Sequence, residues 1–275
     1  MSQSIAVIIL ARNDEVWLPA ALESVKWANQ IVVVDNGSTD QSLKIARSYT
    51  DLVVQVENGT GPIDFSVLRN AGLEKVSSDW VFYLDSDERV LAPLRSEIEK
   101  IISNDSAGSA WAVPRRNIIL GEEKRYNAFW PDHVIRLFKK SNLKGWTGKV
   151  HEQPDFEGKL QYLSQPLLHL THRDIDSMVL KSLSWANIDA KLRLVANHPK
   201  MTGWRFLRIV ITEMWQQGVA RRGFFNGTVG MIDCLLQVFS LYLSYVKLWQ
   251  LQLKTPLPKV YENIDQKLIE NDFKY

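Results

Sequence analysis

The sequence predicts an α/β protein: a mostly parallel sheet flanked by helices, with a C-terminal helical extension. Three observations lead there. Apolar runs rich in β-branched residues recur at Ile5–Leu10, Ile31–Val34, Leu52–Val56 and Trp80–Leu84. Segments with helical spacing lie between them, at Trp17–Ala28, Ser42–Tyr49 and Phe65–Val76. The runs show no polar alternation, which is the pattern of strands buried on both faces under helical crossovers.

Taken in order, "IAVIIL" breaks at once into "ARNDE" and has no basic lead, so it is expected to be a strand and not a signal peptide. The second run ends at Asp35, and "NGSTD" gives a turn and a cap signal before the next helix. The fourth run passes straight into acids in "VFYLDSDE", Val81 to Glu88. Beyond Leu91 the pattern changes. Pro93–Ile102 reads as a helix, and Ala110–Pro114 and His133–Phe138 as strands. "KGWTGKVHEQP" reads as a loop with a short strand, and Leu160–Leu170 as a further pairing segment. From Asp174 to about Lys254 the chain reads as helical, and the last twenty residues as a polar tail. The expected division is a sheet domain over 1–172, a helical extension over 173–254 and a tail over 255–275.

A chain of 275 residues suits one large α/β domain, or a catalytic domain with an appendage. The net charge of +2 names no polyanionic partner, and none of nucleic-acid type is expected. The single cysteine, Cys234, excludes an internal disulfide and a multi-cysteine zinc site. Asn58 and Asn226 match a glycosylation pattern but carry no weight without a secretory signal.

Open sheets of this class bind ligands beyond the carboxyl ends of their strands. Polar clusters sit at three such ends: Arg12-Asn13-Asp14-Glu15, Asp35-Asn36-Gly37-Ser38 and Asp85-Ser86-Asp87-Glu88. Caps and turns explain any one of them, because loops use these residues anyway. All three on one rim point to a site. Crowded carboxylates repel unless something positive lies between them. A strand ending in Asp-x-Asp suits Mg²⁺ or Mn²⁺ carrying a diphosphate, since the ion takes one or two carboxylates and completes its shell with phosphate and water.

"IVVVDNGSTD", followed by "LRNAGLEKVSSDW" and "WVFYLDSDE", resembles the family 2 glycosyltransferases of the GT-A fold over Ile5 to about Glu88. "DHVIRLFKK" and "GKVHEQP" resemble a narrower subgroup, bacterial transferases that build lipopolysaccharide core and similar surface glycans. The family often has two aspartates where this chain has Asp35-Asn36. The resemblance implies a nucleotide pocket lined by Ala11, Arg12, Asn13 and Glu15, with Asp35 on the base and Ser38 near the ribose or base. It places Arg69, with Asn70 beside it, near the diphosphate or sugar. Asp85 would face the ribose or a metal-bound water, and Asp87 would ligate the metal. Competing readings are a helix-surface charge for Arg69 and a first-turn acid favoured by the helix dipole for Glu15.

The family is inverting, so one general base near the acceptor is implied. The Glu-Asp pair that supplies it in many relatives is absent. Glu152 and Asp132 are the candidates. Glu152 is preferred because it lies beside Gly145, Trp146, Gly148 and His151, the last a candidate third metal ligand. Arg136 is positioned to pair with either acid or with the diphosphate. Trp130 and Trp146 are candidate sugar platforms, against the competing reading of core packing. His169 and His172 are expected on one side of a strand in a structural role.

In Val229–Leu251 the polar residues form one narrow stripe on an otherwise apolar helix, close to a membrane span in length, although Asp233 and Lys247 would be costly in one. From Lys200 to Lys254 there are seven basic residues and two acids, among aromatics. That mixture suits an anionic membrane surface; the alternative is packing on the sheet or on a second subunit, including a homodimer. The expected activity is an inverting, metal-dependent transfer of a hexose from a nucleotide-diphosphate sugar, UDP foremost. The acceptor would be a core or other surface glycan, or a lipid-linked one, at the cytoplasmic face of the membrane. The alternatives are transfer to a polyprenyl phosphate and a non-catalytic nucleotide-sugar-binding subunit.

Overall fold

Strand β1 (Ile5–Ala11) is buried along its whole length, and the first unit is built around it. The computed structural model describes residues 3–56, 64–104, 108–124, 131–148, 152–271 and 273–274. The chain divides into two compact units, residues 1–118 with 131–171 and residues 119–130 with 172–275.

After β1 come α1 (Leu18–Val25), β2 (Gln30–Asp35), α2 (Ser42–Tyr49), β3 (Val53–Gln55), α3 (Phe65–Leu73) and β4 (Trp80–Asp85). Next are β5 (Glu88–Arg89), α4 (Ala92–Ser103), β6 (Ala110–Ile119) and β7 (Glu122–Glu123), with β7 in the second unit. Then follow β8 (Asp132–Lys139), β9 (Leu143–Thr147), β10 (Gln153–Phe156), β11 (Leu160–Tyr162) and β12 (Leu167–Leu170). The sheet runs β3-β2-β1-β4-β8-β6-β12-β5, and β9 with β10 forms a separate antiparallel hairpin. The pairings among β1, β2, β3 and β4 are parallel, and β8 pairs antiparallel with β4 and with β6.

Alternate residues of β1 feed two cores. Ile5, Val7 and Ile9 pack with α1 and α4 residues on one face, and Ala6, Ile8 and Leu10 with Leu68 of α3 and Trp146 of β9 on the other. Burial on both faces is why the run carries no polar alternation. Helix α3 lies close on the sheet at Gly72, where a Cβ would come within 2.6 Å of Ile8 and 2.9 Å of Val34. Asp64 caps that helix, accepting from the amides of Ser66 (3.1 Å) and Val67 (3.4 Å).

The second unit contains α5 (Ile175–Val195), α6 (Gly203–Met214), α7 (Gly227–Leu251) and α8 (Leu257–Glu270), with a π-helical turn over Trp215–Ala220. Helix α7 is long and apolar enough, by length and composition, to cross a membrane. Its Asp233 is buried and paired with Lys124 at 2.6 Å.

Two expectations change. Helix α8 forms where a polar tail was expected; Leu257, Val260, Tyr261, Ile264 and Leu268 have helical spacing inside a polar segment. Strand β6 runs on through Arg115–Ile119, past the Pro114 end expected for it. Those residues alternate, and the face they occupy proves to be part of the site.

Candidate active site

Three strand ends meet in register. Ala11 lies opposite Asp35, and Leu10 opposite Asp85, so the ends of β2, β1 and β4 stand side by side. The direction of winding reverses at β1, with β2 on one side and β4 on the other, and such a switch point is where ligands bind in open α/β sheets.

Asp35 is only 1% exposed. Its Oδ2 accepts from the Ser38 amide at 3.2 Å, while its buried Oδ1 meets no hydrogen-bond partner among the described residues. A buried acceptor without a donor is costly, so this oxygen is a candidate to accept a hydrogen bond from a bound ligand. Around it, the loops after β1 and β2 are laced together. Asn13, in left-handed backbone (φ 55), donates its amide to Ser38 Oγ at 3.0 Å and accepts from the Thr39 amide at 2.8 Å. Glu15 accepts from the Gln41 amide at 2.9 Å, at the start of α2, so its carboxylate joins two loops instead of serving its own helix. The Asn36 amide donates to the Ala11 carbonyl at 2.9 Å. The Arg12 amide donates to Asp14 Oδ2 at 2.9 Å, and the residue is exposed. Burial pushes the Asp14 carboxyl up against its bonds to Arg12 and Ser86, and the charges of Asp87 and Asp40 push the same way.

At the end of β4, Asp85 is held by two guanidinium groups. Arg69 reaches Oδ1 at 3.4 Å and Arg136 bonds Oδ2. Burial would raise this carboxyl, but Arg136 and Arg69 outweigh it and hold it below the ordinary range. Arg136 also pairs with Glu88, fully buried, at 2.6 Å. Both Asp85 oxygens are therefore engaged by arginines. Arg69 is buried, stacked 4.7 Å from the Trp146 ring centroid, and its Nε is 3.3 Å from Glu152 Oε1. It is no helix-surface charge. The Asn70 amide spans the backbone of Trp146, donating to its carbonyl at 2.9 Å and accepting from its N–H at 2.8 Å, so it fixes β9 to α3. Trp146 is 7% exposed and packs edge-on to Tyr83, which makes it core and a seat for Arg69 instead of an open sugar platform.

Asp87 stands 3.4 Å from His169 Nε2. The backbone sets this: Leu170 donates to the Asp87 carbonyl at 2.9 Å, and β12 pairs His169 with Glu88. On the other side, β6 pairs Asn117 with His169 and Arg115 with Asp132. Asn117 Nδ2 faces Asp132 Oδ2 at 3.5 Å, which turns its Oδ1 to His169 Nδ1 at 2.6 Å. Nδ1 therefore donates to Asn117, and Nε2 is the ring nitrogen turned toward the Asp87 carboxylate. A carboxylate and an imidazole backed by a second hydrogen bond are a fitting donor pair for a divalent ion. Among the described residues no group of three His, Cys, Asp or Glu is placed to hold a metal.

A cleft of about 410 Å³ opens between these groups, lined by Arg69, Asp85, Arg115, Arg136, Trp146 and Glu152 among others. Glu152 faces it directly. Asp132 lies behind Arg115, whose Nε and terminal nitrogen reach its Oδ2 at 3.0 and 2.6 Å. His151 and Trp130 fall outside the described residues. His172 lies past the end of β12 in left-handed backbone (φ 48), so it does not share a strand face with His169. Asn117 and Arg115 escaped sequence reading because the strand was expected to end at Pro114. Their alternation, with an acid at the head of the partner strand, was the available signal.

This arrangement is that of an α/β protein with a ligand site at its switch point: a mostly parallel sheet with a buried, unsatisfied carboxylate oxygen there and an acid pair at the end of the neighbouring strand. The match to a family model settles the class, since residues 6–157 match the family described as glycosyl transferase family 2, and the chain belongs to that family. It is a glycosyltransferase, and the mostly parallel sheet flanked by helices is the GT-A architecture expected of it. An uncharacterized glycosyltransferase of Rickettsia typhi is 27% identical, over 92% of this chain and 89% of that protein. The lipopolysaccharide core biosynthesis glycosyltransferase LpsC of Rhizobium meliloti is 24% identical, over 86% and 92%. The crystal structure of S. aureus TarS in complex with UDP-GlcNAc is similar over 87% of this chain and 80% of that one, at 13% identity and a TM-score of 0.46.

Proposed function

We propose that the chain is an inverting, metal-dependent hexosyltransferase that uses a nucleotide-diphosphate sugar, a UDP-sugar foremost. Its acceptor is a lipopolysaccharide-core or related surface glycan, presented at the cytoplasmic face of a membrane. The observation that carries the donor reading is Asp35, buried with an unsatisfied oxygen in register with the strand that leads to Asp85 and Asp87. The acceptor class is supported by the likeness to LpsC.

Asp35 takes the base. Asn13, Glu15 and Ser38 hold the two loops around it in place, with Ala11 beneath. Asp87 and His169 would hold Mg²⁺ or Mn²⁺, which offsets the charge that builds on the departing diphosphate. Asp85 has a different part: it orients Arg69 and Arg136 in the cleft where that charge develops. Glu152 takes the proton from the acceptor hydroxyl as that oxygen attacks the anomeric carbon and the carbon–diphosphate bond breaks. Its contact with Arg69 fixes the carboxylate within the cleft. Asp132 positions Arg115 and Asn117.

The test is transfer from radiolabelled nucleotide sugars to a membrane-extracted glycan, with Glu152→Gln and Asp132→Asn compared. Loss of a general base costs about 10²- to 10⁴-fold in turnover, and that loss is expected for Glu152→Gln with donor affinity retained. Turnover left intact by both amides would overturn the base and point to a phosphate acceptor such as a polyprenyl phosphate, which needs none.

A further inference from the structure

Helix α6 carries more apolar surface than its own unit uses. On its inner side Phe206 and Ile209 pack against Ala190, Met201 and Leu248, and Phe206 meets Tyr242 at 5.8 Å. The opposite side is where a surface helix normally places polar residues. Here it presents Trp204 (70% exposed), Leu207 (52%) and Ile211 (57%), and the row continues into Trp215 (64%) in the π turn. Steps of three, four and four residues put these side chains in one line. Arg208 is exposed beside the line and Arg205 flanks it. From residue 200 to 225 the chain has five basic residues and a single acid, Glu213.

We infer that this row is a membrane-docking surface, on which α6 lies flat in the headgroup layer of an anionic bilayer. The inference rests on the reading above that the acceptor is presented at a membrane, and it names the surface and the lipid charge involved. The charge argues for lipid over a second copy of the chain. A two-fold dimer through this face would set the same patch against itself and bring like arginines together as the apolar row closes. An anionic headgroup layer neutralises those arginines while the acyl boundary takes the row. Tryptophans at both ends fit as well, since indole rings favour the interface.

The experiment uses the purified full chain with phosphatidylcholine vesicles, with and without phosphatidylglycerol. Co-sedimentation is expected with the anionic vesicles, weakening as salt is raised. The triple variant Trp204→Ser, Ile211→Ser, Trp215→Ser should lose at least about tenfold in partitioning, and Arg205→Gln with Arg208→Gln should lose less and flatten the salt response. The replaced residues of the triple variant are exposed, so nucleotide binding should persist and reports on folding. Equal partitioning of wild type and triple variant would overturn the inference. So would a dimer in sedimentation velocity that the triple variant dissociates, with no lipid binding by either. Transfer to a water-soluble acceptor, measured on the same preparations, separates the two readings. Vesicle binding without transfer counts against the proposed function and leaves the surface standing; transfer without vesicle binding does the reverse.

Discussion

Among the described residues, seven large apolar side chains are exposed in the first unit and twenty-three in the second. Buried charge among the described residues runs the other way: Asp35, Arg69, Glu88, Arg89 and Arg136 are buried in the first unit, and Asp233 alone in the second. The first unit spends its apolar residues on a two-faced sheet and gathers charge at the strand ends, where the candidate site lies. The second closes a small core and leaves apolar rows outside. One unit keeps charge inside and the other keeps apolar surface outside, and that difference can be tested by substitution.

The largest expected effect breaks the charge network. Arg136→Leu leaves Asp85 and fully buried Glu88 without their shared partner, and loss of one member of a buried ion pair costs about 3–5 kcal/mol. A denaturant titration that showed less than about 1 kcal/mol would mean that the network is not what holds the strand ends.

Asn117→Ala should come next. It removes the acceptor that sets the His169 tautomer, and loss of such a supporting bond typically costs about 10- to 100-fold in metal affinity. Mn²⁺ titration followed by paramagnetic resonance of the free ion measures it; an unchanged affinity would remove His169 from the metal site.

Acid stability sharpens the comparison further. The Asp85 carboxyl titrates below its ordinary 3.8 in the folded state, so its stabilising contribution is complete above that value. It is lost as pH falls through the lowered one. The stability gap between wild type and Asp85→Asn should therefore be constant from neutral pH down to about 4 and shrink only below it. A gap that closes near neutrality would contradict the pairing with Arg69 and Arg136.

The smallest effect belongs to the second unit. Trp204→Ser should change unfolding free energy by no more than about 0.5 kcal/mol, as for a largely exposed surface residue. A larger loss by thermal or denaturant unfolding would show that the row is core after all.

The same contrast decides what was legible in the sequence. Strands β1, β2 and β4 could be read because each is an apolar run without polar alternation that gives way to a polar cluster. The clustering of Asp35, Asp85 and Asp87 followed from strand order. The contacts of Asp85 and His169 were not legible, because they depend on pairings far apart in sequence: Asp85 with Arg136, and His169 with Asp87 and Asn117. Trp146 could not be told from a sugar platform, since only packing against Tyr83 and Phe138 shows it to be core. Helix α8 was missed because its few apolar residues, though helically spaced, are diluted by charge.

The central claim is that Asp87 with His169 and the orphaned oxygen of Asp35 form a metal-dependent nucleotide site. Calorimetric titration of the full chain with UDP, GDP and dTDP, with and without Mn²⁺, tests it most directly when repeated on Asp87→Asn and His169→Ala. The expected result is tight binding of one nucleotide, UDP foremost, that needs Mn²⁺ and is lost in both variants while their unfolding midpoints stay unchanged. Binding to none of the three, or binding indifferent to Mn²⁺ and to Asp87, would contradict it and return the acids at the strand ends to the role of caps and turns.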